Sequence, residues 1–188
     1  AAPGKCGVQI DGLKAENEYY SLTLDENGTI ASLYDKTAER QVFVDGEGGN
    51  LFTVYEDMPY SQYEAWDIAD YFRSKQYALD GKAVIRAIKD GSRSGFTVTR
   101  KYNDSVICQK IWLYSKSRCI DFDTEIDWHE KHQLLKVNFP FDIHTDEAVY
   151  EIQYGHIRRP THRNTSWDSA RFEVCGHKWV DVSEHGYG

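Results

Sequence analysis

Apolar and polar residues alternate with a period of two along most of this chain, the spacing of strands that bury one face. Tyr20, Leu22 and Leu24 share one face, while Tyr19, Ser21 and Thr23 share the other. Asn27-Gly28 follows with the residues of a hairpin turn, which predicts a returning strand over 29–34. Further short strands are expected over 41–44, 51–55, 82–88, 96–102 and 106–114, separated by Asp45-Gly46, Asp90-Gly91 and Asn103-Asp104. The longest alternation, 118–128, sets Ile120, Phe122, Thr124, Ile126 and Trp128 against Cys119, Asp121, Asp123, Glu125 and Asp127. It predicts one core face and one carboxylate face. Strands over 135–143, 149–154, 171–174 and 178–182 complete the pattern, and no window carries a helical stripe. The expectation is an all-β chain, a two-sheet β-sandwich forming one domain over 1–188.

Two segments break the alternation, and long irregular loops on a compact scaffold are where function concentrates. In 56–73, Tyr60, Tyr63, Trp66, Tyr71 and Phe72 lie among Glu56, Asp57, Glu64, Asp67 and Asp70. Aromatic rings flanked by carboxylates suit a pyranose, which offers an apolar C–H face and a rim of hydroxyls. The same composition suits a loop pinned by its aromatics. In 156–171, Arg158, Arg159, His162, Arg163, Asn164, Trp167, Asp168 and Arg171 can hold a hydroxyl-rich ligand or the acidic residues of a neighbouring domain. No Gly-rich loop or helix start supports a phosphate site there.

Composition narrows the partners. Lys and Arg number 22 against 30 Asp and Glu, a net charge of −8, which disfavours nucleic acid and anionic membrane surfaces. No apolar run approaches the ~18 residues of a membrane span. The four cysteines, Cys6, Cys108, Cys119 and Cys175, have no C-x-x-C spacing and are expected to be free, buried or half-buried thiols in a reducing, cytoplasmic compartment. Sequons at Asn27, Asn103 and Asn164 arise readily by chance in turn-rich chains. All seven histidines lie beyond position 128, but His129 and His132 are three apart at a strand end rather than in H-E-x-x-H on a helix, so no metal site is expected. The alternating acids from Asp121 to Asp127 are spread too far along a strand for one calcium ion. No Gly-x-Ser-x-Gly elbow is present.

The run Asp127-Trp128-His129-Glu130-Lys131-His132, followed by Arg159-Pro160-Thr161-His162-Arg163-Asn164-Thr165-Ser166-Trp167-Asp168 and Ala170-Arg171-Phe172-Glu173-Val174, resembles class II α-mannosidases of glycoside hydrolase family 38. His177-Lys178-Trp179, Ser183-Glu184 and Gly186-Tyr187-Gly188 extend the likeness. So do Glu16-Asn17-Glu18-Tyr19, the hairpin from Asn27-Gly28 to Tyr34-Asp35-Lys36, and Ala65-Trp66-Asp67-Ile68. The cytosolic and bacterial branch is the most similar. The resemblance implies a galactose-mutarotase-like supersandwich belonging to an enzyme that hydrolyses terminal α-linked mannose with retention. The family's carboxylate nucleophile and zinc-ligand motifs have no match here, so this chain is expected to hold no catalytic residue, metal or cofactor and to be inactive alone. Zinc is expected in the absent catalytic domain, and the chain is read as a fragment that stops at Gly188 where the family continues. Its expected partners are an α-mannose oligosaccharide and the catalytic domain of the same polypeptide. Trp66 and Asp67 are the sugar-facing candidates, and His162, Asn164, Trp167, Asp168 and Arg171 are rim or docking candidates. Arg171 and Asp168 are expected to hold their loop against the catalytic domain, with Trp167 filling an apolar pocket at its base. The alternatives are a stand-alone carbohydrate-binding module and a mutarotase-like epimerase, which needs a His and Glu pair in its concave sheet.

Overall fold

The structure, a computed structural model, describes residues 7–58 and 68–188. The chain is nearly all β, as the alternation predicts, and divides into two compact units, one reaching to Phe141 and one running from Asp142 to Gly188.

In the first unit β1 (Gln9–Asp11), β2 (Lys14–Glu16), β3 (Tyr20–Leu24), β4 (Ile30–Asp35) and β5 (Arg40–Gln41) pair antiparallel in sequence order. β6 (Leu51–Glu56) is flanked by β7 (Gln76–Ala78). Between these come β8 (Val84–Asp90), β9 (Arg93–Tyr102), β10 (Ser105–Tyr114) and β11 (Ile120–Asp127), an antiparallel sheet in the order β11-β10-β9-β8. β12 (Gln133–Asn138) then closes the three-stranded sheet β12-β6-β7.

The five- and four-stranded sheets share one core. Ala15, Leu22, Leu24, Ile30 and Leu33 pack with Phe96, Val98, Ile111 and Leu113, all buried. Removing an apolar side chain of this size from water contributes about 1.5–3 kcal/mol. Close backbone approach fixes Gly95 on β9, where an added Cβ would stand 1.8 Å from the Ile111 carbonyl oxygen on β10. The inward faces also carry polar groups. Arg100 follows Phe96 and Val98 on β9, and Gln109 lies between Ile107 and Ile111 on β10, both buried. Gln109 Nε2 donates to Thr124 Oγ1 at 2.9 Å, and its Oε1 accepts from Asn50 Nδ2 at 2.7 Å, so this buried pair is satisfied.

The second unit holds β13 (Glu147–Ile152), β14 (Gly155–Pro160), the short helix α1 (Ser166–Ala170) and β15 (Val180–Asp181), with strand order β14-β13-β15. Segment 156–171 is therefore not one irregular loop, because it begins as a strand and ends in a helical turn. Arginines on both faces hide β14 from the alternation test, as befits an edge strand. Residues 171–174, expected as a strand, form none. On β11 the core face fades along the strand: Ile120 and Phe122 pack on the core, but Ile126 is 46% exposed. Of the cysteines, Cys108 is half-buried as expected, whereas Cys119 and Cys175 are free and exposed.

Ionic joints at the sheet ends give this fold a pH dependence. The buried Asp35 carboxylate accepts the Thr37 and Ala38 N–H groups at 2.8 and 3.0 Å and Arg118 Nη1 at 2.9 Å. Burial opposes its charge, but the Ala38 N–H, Arg118 and the Thr37 N–H prevail and hold its pKa below the ordinary carboxylate range. Glu16, between Lys14 Nζ at 2.8 Å and Lys36 Nζ at 2.6 Å, is pulled down to about 2 by those two ammonium groups, although its exposure screens the energy. A carboxylate with a depressed folded pKa stabilises the fold above its unfolded pKa and loses that contribution as pH falls through the folded value. The melting temperature of the chain is thus expected to fall between about pH 4.5 and 2, and more shallowly in Asp35→Asn. Identical acid limbs for variant and wild type would remove Asp35 from the account.

Candidate functional site

The β13–β14 hairpin turns at Gln153 and Tyr154, where Tyr154 adopts φ 65°. Its register places Ala148 opposite Arg159 and Tyr150 opposite Ile157, so these four side chains share a face. The Arg159 guanidinium lies 5.1 Å from the Tyr150 ring centroid, and its Nη2 donates to the Cys175 carbonyl at 2.9 Å. Its Nε–H is shielded from solvent and meets no hydrogen-bond partner among the described residues. After α1 the chain folds back along β13, where the Glu151 N–H donates to the Trp179 carbonyl at 3.0 Å and the Glu151 carboxylate accepts the Lys178 N–H at 3.0 Å. Phe172 and Val174 thereby close the side of a groove of about 610 Å³ over the shared face, with Arg163 and Arg171 in its lining. That volume lies within the range of small-molecule pockets.

The connection from β14 to α1 is built locally. Thr165 is the N-cap, its Oγ1 accepting the Asp168 N–H at 3.2 Å while the Asp168 carboxylate accepts the Thr165 N–H at 3.1 Å. The Thr165 hydroxyl also donates to that carboxylate at 2.7 Å. This hydroxyl, then the Thr165 N–H and the charges of His162 and Arg171, hold the Asp168 pKa below its ordinary value against a desolvation effect. His162 Nδ1 lies 3.7 Å from Asp168 Oδ2, and the Asn164 N–H points to the same ring nitrogen at 3.5 Å. The Arg171 N–H caps the helix end on the Trp167 and Asp168 carbonyls.

The structure thus brings His162, Asn164, Asp168 and Arg171 together around one turn. Asp168 is consumed by the cap, and Trp167 is 74% exposed within the chain. Trp66 and Asp67 lie outside the described residues. Tyr150 and Phe172, which complete the groove, were not among the sequence candidates. The capping role of Asp168 was readable from Thr165-x-x-Asp168, the pattern of a helix start. Three of the seven histidines each face a separate carboxylate, His129 with Asp127 at 2.9 Å, His144 with Asp142 at 3.8 Å, and His162 with Asp168. Among the described residues no three potential ligands converge, so these pairs do not fit zinc, which takes at least three protein ligands. Among the same residues no helix is long and apolar enough to cross a membrane.

The family model described as the glycosyl hydrolases family 38 C-terminal domain matches residues 15–188. The chain belongs to this family. Human alpha-mannosidase 2C1 is 39% identical over 184 residues, covering 96% of this chain and 18% of that protein. Alpha-mannosidase G of Dictyostelium discoideum is 39% identical over 183 residues, covering 92% and 16%. The chain therefore spans less than a fifth of the length of these relatives. In fold it is similar to the crystal structure of an alpha-mannosidase from Enterococcus faecalis V583, with a TM-score of 0.77 at 15% identity over 98% of this chain and 24% of that one. Residues by which the sequence resembles family 38 serve here as joints. Asn17 Oδ1 accepts the Tyr19 and Tyr20 N–H groups, and its Nδ2 donates to the Tyr114 carbonyl at 2.8 Å. The Glu130 carboxylate accepts Ser105 Oγ at 2.7 Å and Asn103 Nδ2 at 3.1 Å across the β9–β10 turn.

Replacing an N-cap threonine by alanine costs about 0.5–2 kcal/mol. Thr165→Ala is therefore expected to speed amide exchange at Ser169 and Arg171 while leaving the β13–β14 ladder unchanged. Unchanged exchange at both amides would mean that the cap does not hold α1.

Proposed function

We propose that this chain is the non-catalytic C-terminal part of an α-mannosidase that hydrolyses terminal α-linked mannose with retention. It supports the catalytic domain of the same polypeptide and presents the second unit to the rim of the substrate site. The observation that carries this reading is the family 38 C-terminal match over residues 15–188 in a chain that covers 18% of an alpha-mannosidase. The chemistry of the described residues agrees with it: Asp35, Glu130 and Asp168 are all committed to structural hydrogen bonds. A retaining glycosidase needs a carboxylate nucleophile and a second carboxyl group about 5–5.5 Å from it. We assign the nucleophile and the zinc ion to the portion outside this chain. His162, Asn164, Trp167 and Arg171, with Trp66 and Asp67, are the residues proposed to face the rim or the catalytic domain. The free thiols Cys108, Cys119 and Cys175 support a reducing, cytosolic setting.

The test compares the full-length polypeptide with the 188-residue chain on an aryl α-mannoside, with the first-formed anomer followed by NMR. The expected result is α-mannose from the full-length protein, no turnover by the chain alone, and less than one zinc per chain. Turnover by the chain alone, or β-mannose as first product, would contradict the proposal. Mannose binding by an inactive full-length protein would instead favour a carbohydrate-binding module.

A further inference from the structure

Cations of the second unit are gathered in one place. Between residues 142 and 188 the Lys and Arg residues are Arg158, Arg159, Arg163, Arg171 and Lys178, and all four arginines line the groove over β13 and β14. Among the described residues no carboxylate lines it. Arg158 is already paired with Glu147 at 3.1 Å, and Arg159 is held by the Cys175 carbonyl and the Tyr150 ring. Among the described residues, neither Arg163 nor Arg171 forms an ion pair or side-chain hydrogen bond, although the charge of Arg171 is felt at Asp168. The same groove has apolar lining beside these cations, Tyr150 on its floor with Phe172 and Val174 at its side and Val182 also in contact with it.

We propose that this groove is a socket for an acidic segment of the same polypeptide lying outside these 188 residues. The segment would set an Asp or Glu carboxylate against each of Arg163 and Arg171 and place one aliphatic or aromatic side chain on the floor. The proposal rests on the reading of the chain as part of a longer α-mannosidase, and it names the chemistry of the surface that the second unit meets. Charge argues for a tethered occupant. The chain carries −8 overall, so its long-range field repels a free polyanion, whereas a segment of the same polypeptide arrives at high effective concentration whatever that field. The planar guanidinium fork matches a carboxylate in a bidentate pair, and the apolar floor adds burial that an inorganic anion would leave unused.

The test uses the full-length polypeptide with Arg163→Lys or Arg171→Lys, each of which keeps the positive charge but supplies an amine. A carbodiimide activates carboxylates, and an amine in direct contact forms an amide with no spacer, which peptide mass spectrometry locates. Wild type is the blank, because arginine does not couple in this way. The expected result is an amide from position 163 or 171 to an Asp or Glu outside residues 1–188. Mixing isotope-labelled and unlabelled polypeptide shows whether that carboxylate belongs to the same copy. Coupling only to carboxylates within 1–188, coupling to a second copy, or no coupling at either position would each overturn the proposal. Hydrolysis of an α-mannoside by the wild-type polypeptide separates the two ideas. An active but uncoupled protein loses the socket and keeps the proposed function. An inactive wild-type protein loses the proposed function, and the coupling result still decides the socket.

Discussion

The buried guanidinium of Arg100 joins the two largest sheets, and the geometry of the first unit depends on it. From β9 its Nε donates to the Asn27 carbonyl at 3.0 Å and its Nη2 to the Gly28 carbonyl at 2.6 Å, both in the β3–β4 turn of the facing sheet. It lies 4.8 Å from the Phe52 ring centroid and has no carboxylate partner among the described residues. Burial pushes its pKa down to about 10, with the Asp25 charge acting in the opposite direction, so the side chain stays charged at neutral pH. Holding that charge out of water is unfavourable, but leaving the buried Gly28 carbonyl without a donor would cost about 1–3 kcal/mol, and the part-buried Asn27 carbonyl would add to it. The turn is fitted to its partner. Gly28 has φ 78°, and a Cβ there would stand 2.2 Å from Val98 Cγ1 and 3.0 Å from Arg100 Nη2. The opening between strand and turn thus admits a guanidinium and excludes any side chain on residue 28.

Other joints of the first unit follow a similar logic, a polar side chain near one strand end bonding groups of a distant segment. Asn17 ties the turn before β3 to the end of β10, Asp35 ties the end of β4 to Arg118, and Glu130 ties the chain after β11 to the β9–β10 turn. These residues lie in the segments by which the sequence resembles family 38, and their contacts are architectural. This division of labour agrees with the proposed role of a scaffold whose chemistry is supplied by another part of the polypeptide.

The strands and the first hairpin were legible because burial of one face imposes a period of two, and because Asn27-Gly28 satisfies a turn that needs positive φ. The edge strand β14 was not, because Arg158 and Arg159 occupy both of its faces and cancel the alternation. Phe172 and Val174 looked like a strand but close a groove: they pair with no strand, and the chain meets β13 only further on, through isolated bonds of His177, Lys178 and Trp179 to Glu151. Arg100 and Gln109 sit on core faces, and only their positions in the fold reveal why: each meets a partner more than fifty residues away in sequence. The candidate site was half visible. The arginines and His162 stood out by composition, while Tyr150 looked like an ordinary strand residue and the role of Asp168 as a cap passed for a functional carboxylate.

Native-state hydrogen exchange on wild type and Arg100→Gln tests the joint between the sheets most directly. The turn amides of Gly28 and Ile30, bonded to the Asp25 and Gly49 carbonyls, report on the five-stranded sheet, and the β9–β10 ladder reports on its partner. In wild type both sets are expected to open with the same free energy, as one cooperative unit. In Arg100→Gln the turn amides should open at lower free energy while the ladder keeps its protection. Equal protection of the turn in both proteins would show that the guanidinium is not what holds the two sheets together.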